Sequence, residues 1–183
     1  MISLIILIVI FGYSIIAYNN LTRKRNNTEN AFGSIDAMLK KRFDLIPNLV
    51  ATVQQYAKHE ENTFSRITEL RSRNYDSLTT EEKSEFDRTF NTAKRSFFLV
   101  AENYPQLRAS ENFMQLQKAL NETEEQLAAA RRTYNACVTD YNNAVTTVPS
   151  NIIANLFNFY KKEVLSIPEE EKAVPDVKDL FQS

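Results

Sequence analysis

At 183 residues, the chain is long enough for one ordinary domain plus an anchor, and two full domains would be crowded. Two glycines and five prolines leave little of the turn chemistry that short strands and hairpins need, which argues against all-β and Rossmann-type folds. The formal charge is -1, both signs are spread along the chain rather than gathered in a basic stripe, and the single Cys137 excludes an intramolecular disulfide; no nucleic-acid partner is expected.

No charged residue precedes Arg23, and the start of the chain is almost continuously aliphatic and aromatic, close to the roughly 20 residues that span a bilayer. Residues 1–22 read as an uncleaved transmembrane helix, with the lipid bilayer as partner. A cleaved signal needs a basic segment before its apolar run and small residues at the cleavage point. Here Arg23, Lys24 and Arg25 follow the run, and no Ala-x-Ala site appears. Tyr13 and Tyr18 lie toward its C-terminal end, where amphipathic rings favour the headgroup layer. Because Lys and Arg are retained on the cytoplasmic side, the expected topology is single-pass in a bacterial cytoplasmic membrane, N-terminus outside and the bulk of the chain inside.

A second apolar run places Phe32, Leu39, Ile46, Val53 and Ile67 on one heptad register and Ile35, Leu49, Tyr56 and Leu70 on another, with breaks at Arg42, Glu60 and Thr63. Pro47 falls inside it. The pattern continues in phase past the proline, which predicts a kink near residues 43–47 rather than a helix end. After a loop at residues 74–79, the capping box Thr79-Thr80-Glu81-Glu82 opens a third helix carrying Phe86, Phe90, Ala93, Phe97 and Val100. It ends before Tyr104-Pro105.

The clearest heptad run is Phe113, Leu120, Leu127, Tyr134, Tyr141 and Val148, interleaved with Leu116, Thr123, Ala130, Cys137 and Ala144. It predicts a long helix over residues 110–148, capped by Ser110 and stopped by Pro149. A short helix over residues 150–165 presents Ile152, Ile153, Leu156, Phe157, Tyr160 and Val164. Packing on the bundle is preferred over lying on a membrane, since its only basic residues are Lys161 and Lys162. If consecutive helices alternate in direction, the long helix ends far from the bilayer. The expected fold is all-α: an N-terminal transmembrane helix, a bundle of three long antiparallel helices with a short C-terminal one over residues 23–165, and an acidic extended tail over 166–183.

Catalytic and metal motifs are incomplete. His59, the only histidine, precedes Glu60, but Thr63 stands where a zinc-protease helix needs its second histidine, and Tyr56 stands where a di-iron motif needs glutamate. Cys137 sits in a small-residue slot with no histidine nearby in sequence, which reads as a buried inert thiol. Phosphate loops need glycines, and beyond the anchor only Gly33 remains. Glu122, Glu124 and Glu125 read as a solvated face. No catalytic, cofactor-binding or metal residue is assigned, and an enzyme is not expected.

Polar residues at core registers are more informative. Arg42 interrupts one, Asp44 follows, and the long helix carries Glu124, Arg131 and the dipeptides Tyr134-Asn135 and Tyr141-Asn142. Either Arg42 or Asp44 pairs with Glu124 or Arg131, fixing register, or Arg42 snorkels to water along its stem.

These landmarks carry a family resemblance. Tyr18-Asn19-x-Leu21, the run Lys41-Arg42-x-Asp44-Leu45-Ile46-Pro47-Asn48-Leu49-Val50, and Tyr56-Ala57-x-His59-Glu60 resemble the LemA family of bacterial membrane proteins. So do Tyr104-Pro105-x-Leu107-x-Ala109, Phe113-x-x-Leu116-Gln117, Thr123-Glu124, Arg131-Arg132-x-Tyr134-Asn135, Tyr141-Asn142 and Pro149-Ser150. The closing Val174-Pro175-Asp176-Val177 with Phe181 is similar to that family's tail, with extra residues before Phe181. The resemblance implies a transmembrane N-terminus with a short exterior end and a helical bundle inside. It supplies no catalytic residues. Magnetosome relatives of the family point by analogy toward membrane organisation, and LemA-like proteins are often associated with membrane-bound stress proteases.

Three functions compete. A non-enzymatic scaffold that self-associates as a homo-oligomer would use apolar residues left off the main registers, such as Phe98, Leu99 and Phe159. A regulatory adaptor would present the body to a membrane protein partner, such as a stress protease or a signalling enzyme. A hydrolase or metalloenzyme would require ligands that the sequence lacks.

Overall fold

Helix α1 (Ile2–Asp44) runs unbroken from the apolar N-terminal segment through the basic cluster into the second apolar run. In the computed structural model, which describes residues 1–56 and 75–165, all regular structure is helical, as the composition predicts. Pro47 sets the end of α1, because its nitrogen has no hydrogen to give the Phe43 carbonyl. Leu45 leaves helical geometry and its N–H donates to the Arg42 carbonyl at 3.1 Å. Helix α2 (Ile46–Tyr56) begins at once, with the Asn48 and Leu49 N–H groups both donating to the Leu45 carbonyl. The expected kink is therefore a one-residue interruption. His59, Glu60, Thr63, Ile67 and Leu70 lie outside the described residues, as does the tail expected over 166–183.

A 3-10 turn at Tyr75–Ser77 precedes α3 (Thr80–Asn103). The capping box forms as expected: the Glu82 N–H donates to the Thr79 hydroxyl, and the Thr79 N–H donates to the Glu82 carboxylate at 2.7 Å. A short helix not foreseen in the sequence, α4 (Pro105–Arg108), turns the chain, with Pro105 at its first position and Leu107 buried. Helix α5 (Glu111–Thr146) is capped by Ser110, whose hydroxyl accepts the Phe113 N–H, and α6 (Ser150–Leu156) follows Pro149.

The chain divides into two compact units. In the unit Gly33–Ala129, the buried core joins Ile35, Leu39, Ile46 and Leu49 to Phe86, Phe90 and Phe97 of α3, and to Phe113, Leu116, Leu120 and Leu127 of α5. Lys94 bonded to Glu124 and Phe97 stacked on Phe113 make α3 and α5 antiparallel. Lys83 on Asp36 and Arg42 on Asp87 make α3 parallel to α1.

In the unit formed by Met1–Phe32 and Ala130–Ser183, α1 and α5 run antiparallel. Phe32 meets Tyr134 with ring centroids 5.8 Å apart, and Lys24 pairs with Asp140. Ala17 and Leu21 share a core with Tyr141, Val145, Ile153, Ala154 and Phe159. The C-terminal end of α5 thus lies against the end of the apolar segment expected to span the bilayer, rather than far from that segment. Simple alternation failed because α3 re-enters beside α1 in the same direction.

Three further expectations are corrected. Val148 is 72% exposed although it continues the heptad, and Val138 and Val145 are buried instead. Val148 lies past the end of α5 at Thr146, in the turn that leads through Pro149 into α6, so the heptad no longer sets the direction of its side chain. The helix expected over 150–165 stops at Leu156. Asn158 takes a left-handed conformation (φ 57°), and the Phe159 N–H donates back to the Ala154 carbonyl at 2.9 Å, a Schellman closure that ends the helix. Cys137 is half-buried rather than buried.

Candidate membrane-proximal site

Beyond the Schellman closure, residues 161–165 carry no regular structure and are held on α5 by two asparagines. The Asn142 amide donates to the Lys162 carbonyl at 2.8 Å and accepts the Lys162 N–H at 2.9 Å. The Asn135 amide does the same at Leu165, at 2.9 and 2.8 Å. Each side chain copies a peptide group and satisfies a donor and an acceptor that would otherwise have neither sheet nor helix. The spacing explains the match. Seven helical residues rise about 10.5 Å, and three extended residues cover about 10 Å.

The strap carries Lys162 to α1, where its ammonium donates to the Thr28 hydroxyl at 2.9 Å and lies 3.4 Å from Glu29. Phe159 is buried between the two helices, with Tyr18 against it edge-on at 5.7 Å and the Arg25 guanidinium over its ring at 5.3 Å. Tyr18 also meets Phe157 edge-on at 4.9 Å. Burial pushes the Tyr134 and Tyr141 phenols above their ordinary range; around Tyr141, Arg25 works against burial and Glu29 with it.

In the unit Gly33–Ala129, Arg42 is 3% exposed, so it does not snorkel. It donates to Asp87 and to the Asn91 side-chain oxygen Oδ1 and lies over the Phe90 ring at 5.6 Å. The pairing principle holds, but the partners expected, Glu124 and Arg131, are corrected: Glu124 is taken by Lys94, and Asp44 sits exposed, 4.0 Å from Lys40. Asp87 escaped sequence reasoning because it lies on the polar-looking start of α3, with no local spacing to link it to Arg42. Tyr75, within the expected loop, is buried and donates its hydroxyl to Asp36 at 2.9 Å, while Lys83 donates to the same oxygen at 2.7 Å. The Lys83 hydrogen bond, helped by Tyr75 and opposed by burial, holds the Asp36 carboxyl below the usual range. Among the described residues, no group of three or more His, Cys, Asp or Glu side chains converges as metal ligands.

The family model described as LemA family matches residues 31–178. The chain belongs to the LemA family. It is similar to Protein LemA of Metamycoplasma hominis, 29% identical over 88% of this chain and 74% of the relative. It is also similar to Magnetosome proteins MamQ 1 and MamQ 2 of Paramagnetospirillum magneticum, each 21% identical over 88% of this chain and 69% of the relative.

In this LemA-family chain the two Tyr-Asn dipeptides have a structural reading. Tyr134 and Tyr141 turn toward α1, while Asn135 and Asn142 grip the strap. The long apolar helix is consistent with a membrane anchor: residues 1–16 carry no buried side chain, and packing begins at Ala17.

Proposed function

We propose that this LemA-family protein is a non-enzymatic, membrane-anchored helical scaffold that self-associates and organises membrane or partner proteins at the bilayer. The observation that carries the reading is the brace at the end of the apolar segment. No linker separates anchor from body there, and Ala17 and Leu21 are already packed among α5, α6 and Phe159. A body joined in this way holds whatever it binds at a fixed level above the membrane, which a tethered domain does not. The magnetosome proteins among its relatives support a role at a membrane.

The adaptor reading keeps one observation in its favour. Of the three apolar residues expected to be left over, Phe159 is buried and Phe98 packs on Phe97 and Phe113, so Leu99 alone remains exposed. Mass photometry of detergent-purified protein separates the two. The scaffold predicts multiples of the 21.1 kDa chain, reduced by Leu99→Lys. A strict monomer at micromolar concentration that retains a different membrane protein through purification overturns it in favour of the adaptor.

A further inference from the structure

We propose that the corner made by the end of α5, α6 and residues 157–160 inserts into the headgroup and upper acyl layer of the bilayer that α1 enters, as an interfacial wedge beside the anchor. The proposal rests on reading α1 as a membrane span. Its first support is continuity. The uncharged stretch of α1 does not stop where packing begins but runs on through residues 17–22 to Arg23, and those are the residues on which the corner packs: Ala17 and Leu21 share its core, and Tyr18 meets Phe157.

Charge gives the second support. No Asp, Glu, Lys or Arg occurs from Tyr141 to Tyr160, just as none precedes Arg23 in α1. Charged residues just beyond these two stretches meet one another: Lys24 pairs with Asp140, and Lys162 lies beside Glu29. Both segments therefore change from uncharged to charged at a common level, as a chain does at a membrane surface.

The outer face supplies the third. Ile153, Ala154 and Phe159 face inward, while Val148, Ile152, Leu156, Phe157 and Tyr160 are 51 to 72% exposed among the described residues. Interleaved Asn143, Asn155 and Asn158, all exposed, suit the hydrated headgroup boundary, into which a segment of this kind sinks about 5–10 Å. Packing on the bundle and lying on the membrane, alternatives in sequence, are here two faces of one element.

The chain contains no tryptophan, so one substitution places a sole indole reporter. The test uses full-length Ile152→Trp, Leu156→Trp and Phe11→Trp proteins in phosphatidylcholine vesicles, with lipids brominated near either the carboxyl or the methyl end of the acyl chain. Helix content matching the parent by circular dichroism qualifies each variant, and two outer-face positions guard against one misfolding. The expected result is loss of emission at positions 152 and 156, greatest with bromine near the carboxyl end. Phe11→Trp is expected to lose most with bromine near the methyl end. Quenching of Phe11→Trp with none at 152 or 156 overturns the wedge and leaves the anchor standing. No quenching of Phe11→Trp overturns the span reading, and the wedge with it.

Discussion

Arg42 is a cation in the middle of an aromatic core, and its surroundings account for it: Asp87 and the Asn91 amide take its protons, and Phe90 lies under its plane. Removing only the cation takes the Arg42 guanidinium away from a buried carboxylate. Arg42→Met should therefore lower unfolding free energy by about 3–5 kcal/mol in urea titrations of detergent-solubilised protein. Adding Asp87→Leu should restore most of that loss. A single variant that melts with the parent would show that the pair contributes nothing. Asp36 belongs to the same scale. Its carboxyl is depressed chiefly by the Lys83 hydrogen bond, so its contribution to stability is present above the ordinary aspartate value and fades as pH falls through the depressed one. The melting temperature should accordingly drop on acidification below about pH 4, and Lys83→Met should flatten that part of the profile.

The elements are held in register by groups that local patterning does not connect. The strap after α6 depends on the agreement between two helical turns of α5 and three extended residues, with Asn142 on Lys162 and Asn135 on Leu165. Asn142→Leu keeps the volume but removes both the N–H donor to the Lys162 carbonyl and the oxygen that accepts the Lys162 N–H. Leaving that pair unsatisfied costs about 1–3 kcal/mol. Amide hydrogen exchange at Lys162 should accelerate about tenfold or more, while the amides inside α3 keep their rates. Equal acceleration in α3 would mean global destabilisation rather than release of the strap. The end of α6 was legible in retrospect. Asparagine tolerates the left-handed conformation, and Asn158 followed by an aromatic residue is the composition of a Schellman closure.

At the scale of the whole molecule, the basic cluster after the apolar segment predicts which side the body occupies. In sealed right-side-out membrane vesicles, added protease should leave the C-terminus intact until the vesicles are opened, and digestion from outside would reverse the topology. The sequence by itself determined that the regular structure of the described residues is helical, where Pro47 interrupts the first helix, and where Thr79 and Ser110 start helices. Each of these rests on neighbours within a turn or two, through capping bonds, a missing N–H or local hydropathy. Its motifs also carried the family. Only the tertiary structure decided that Arg42 meets Asp87, that α3 runs parallel to α1, and that the far end of α5 returns to Ala17 and Leu21. These are choices among partners of equal local merit, and they are settled by which arrangement buries the aromatic rings and satisfies every buried charge and peptide group at once.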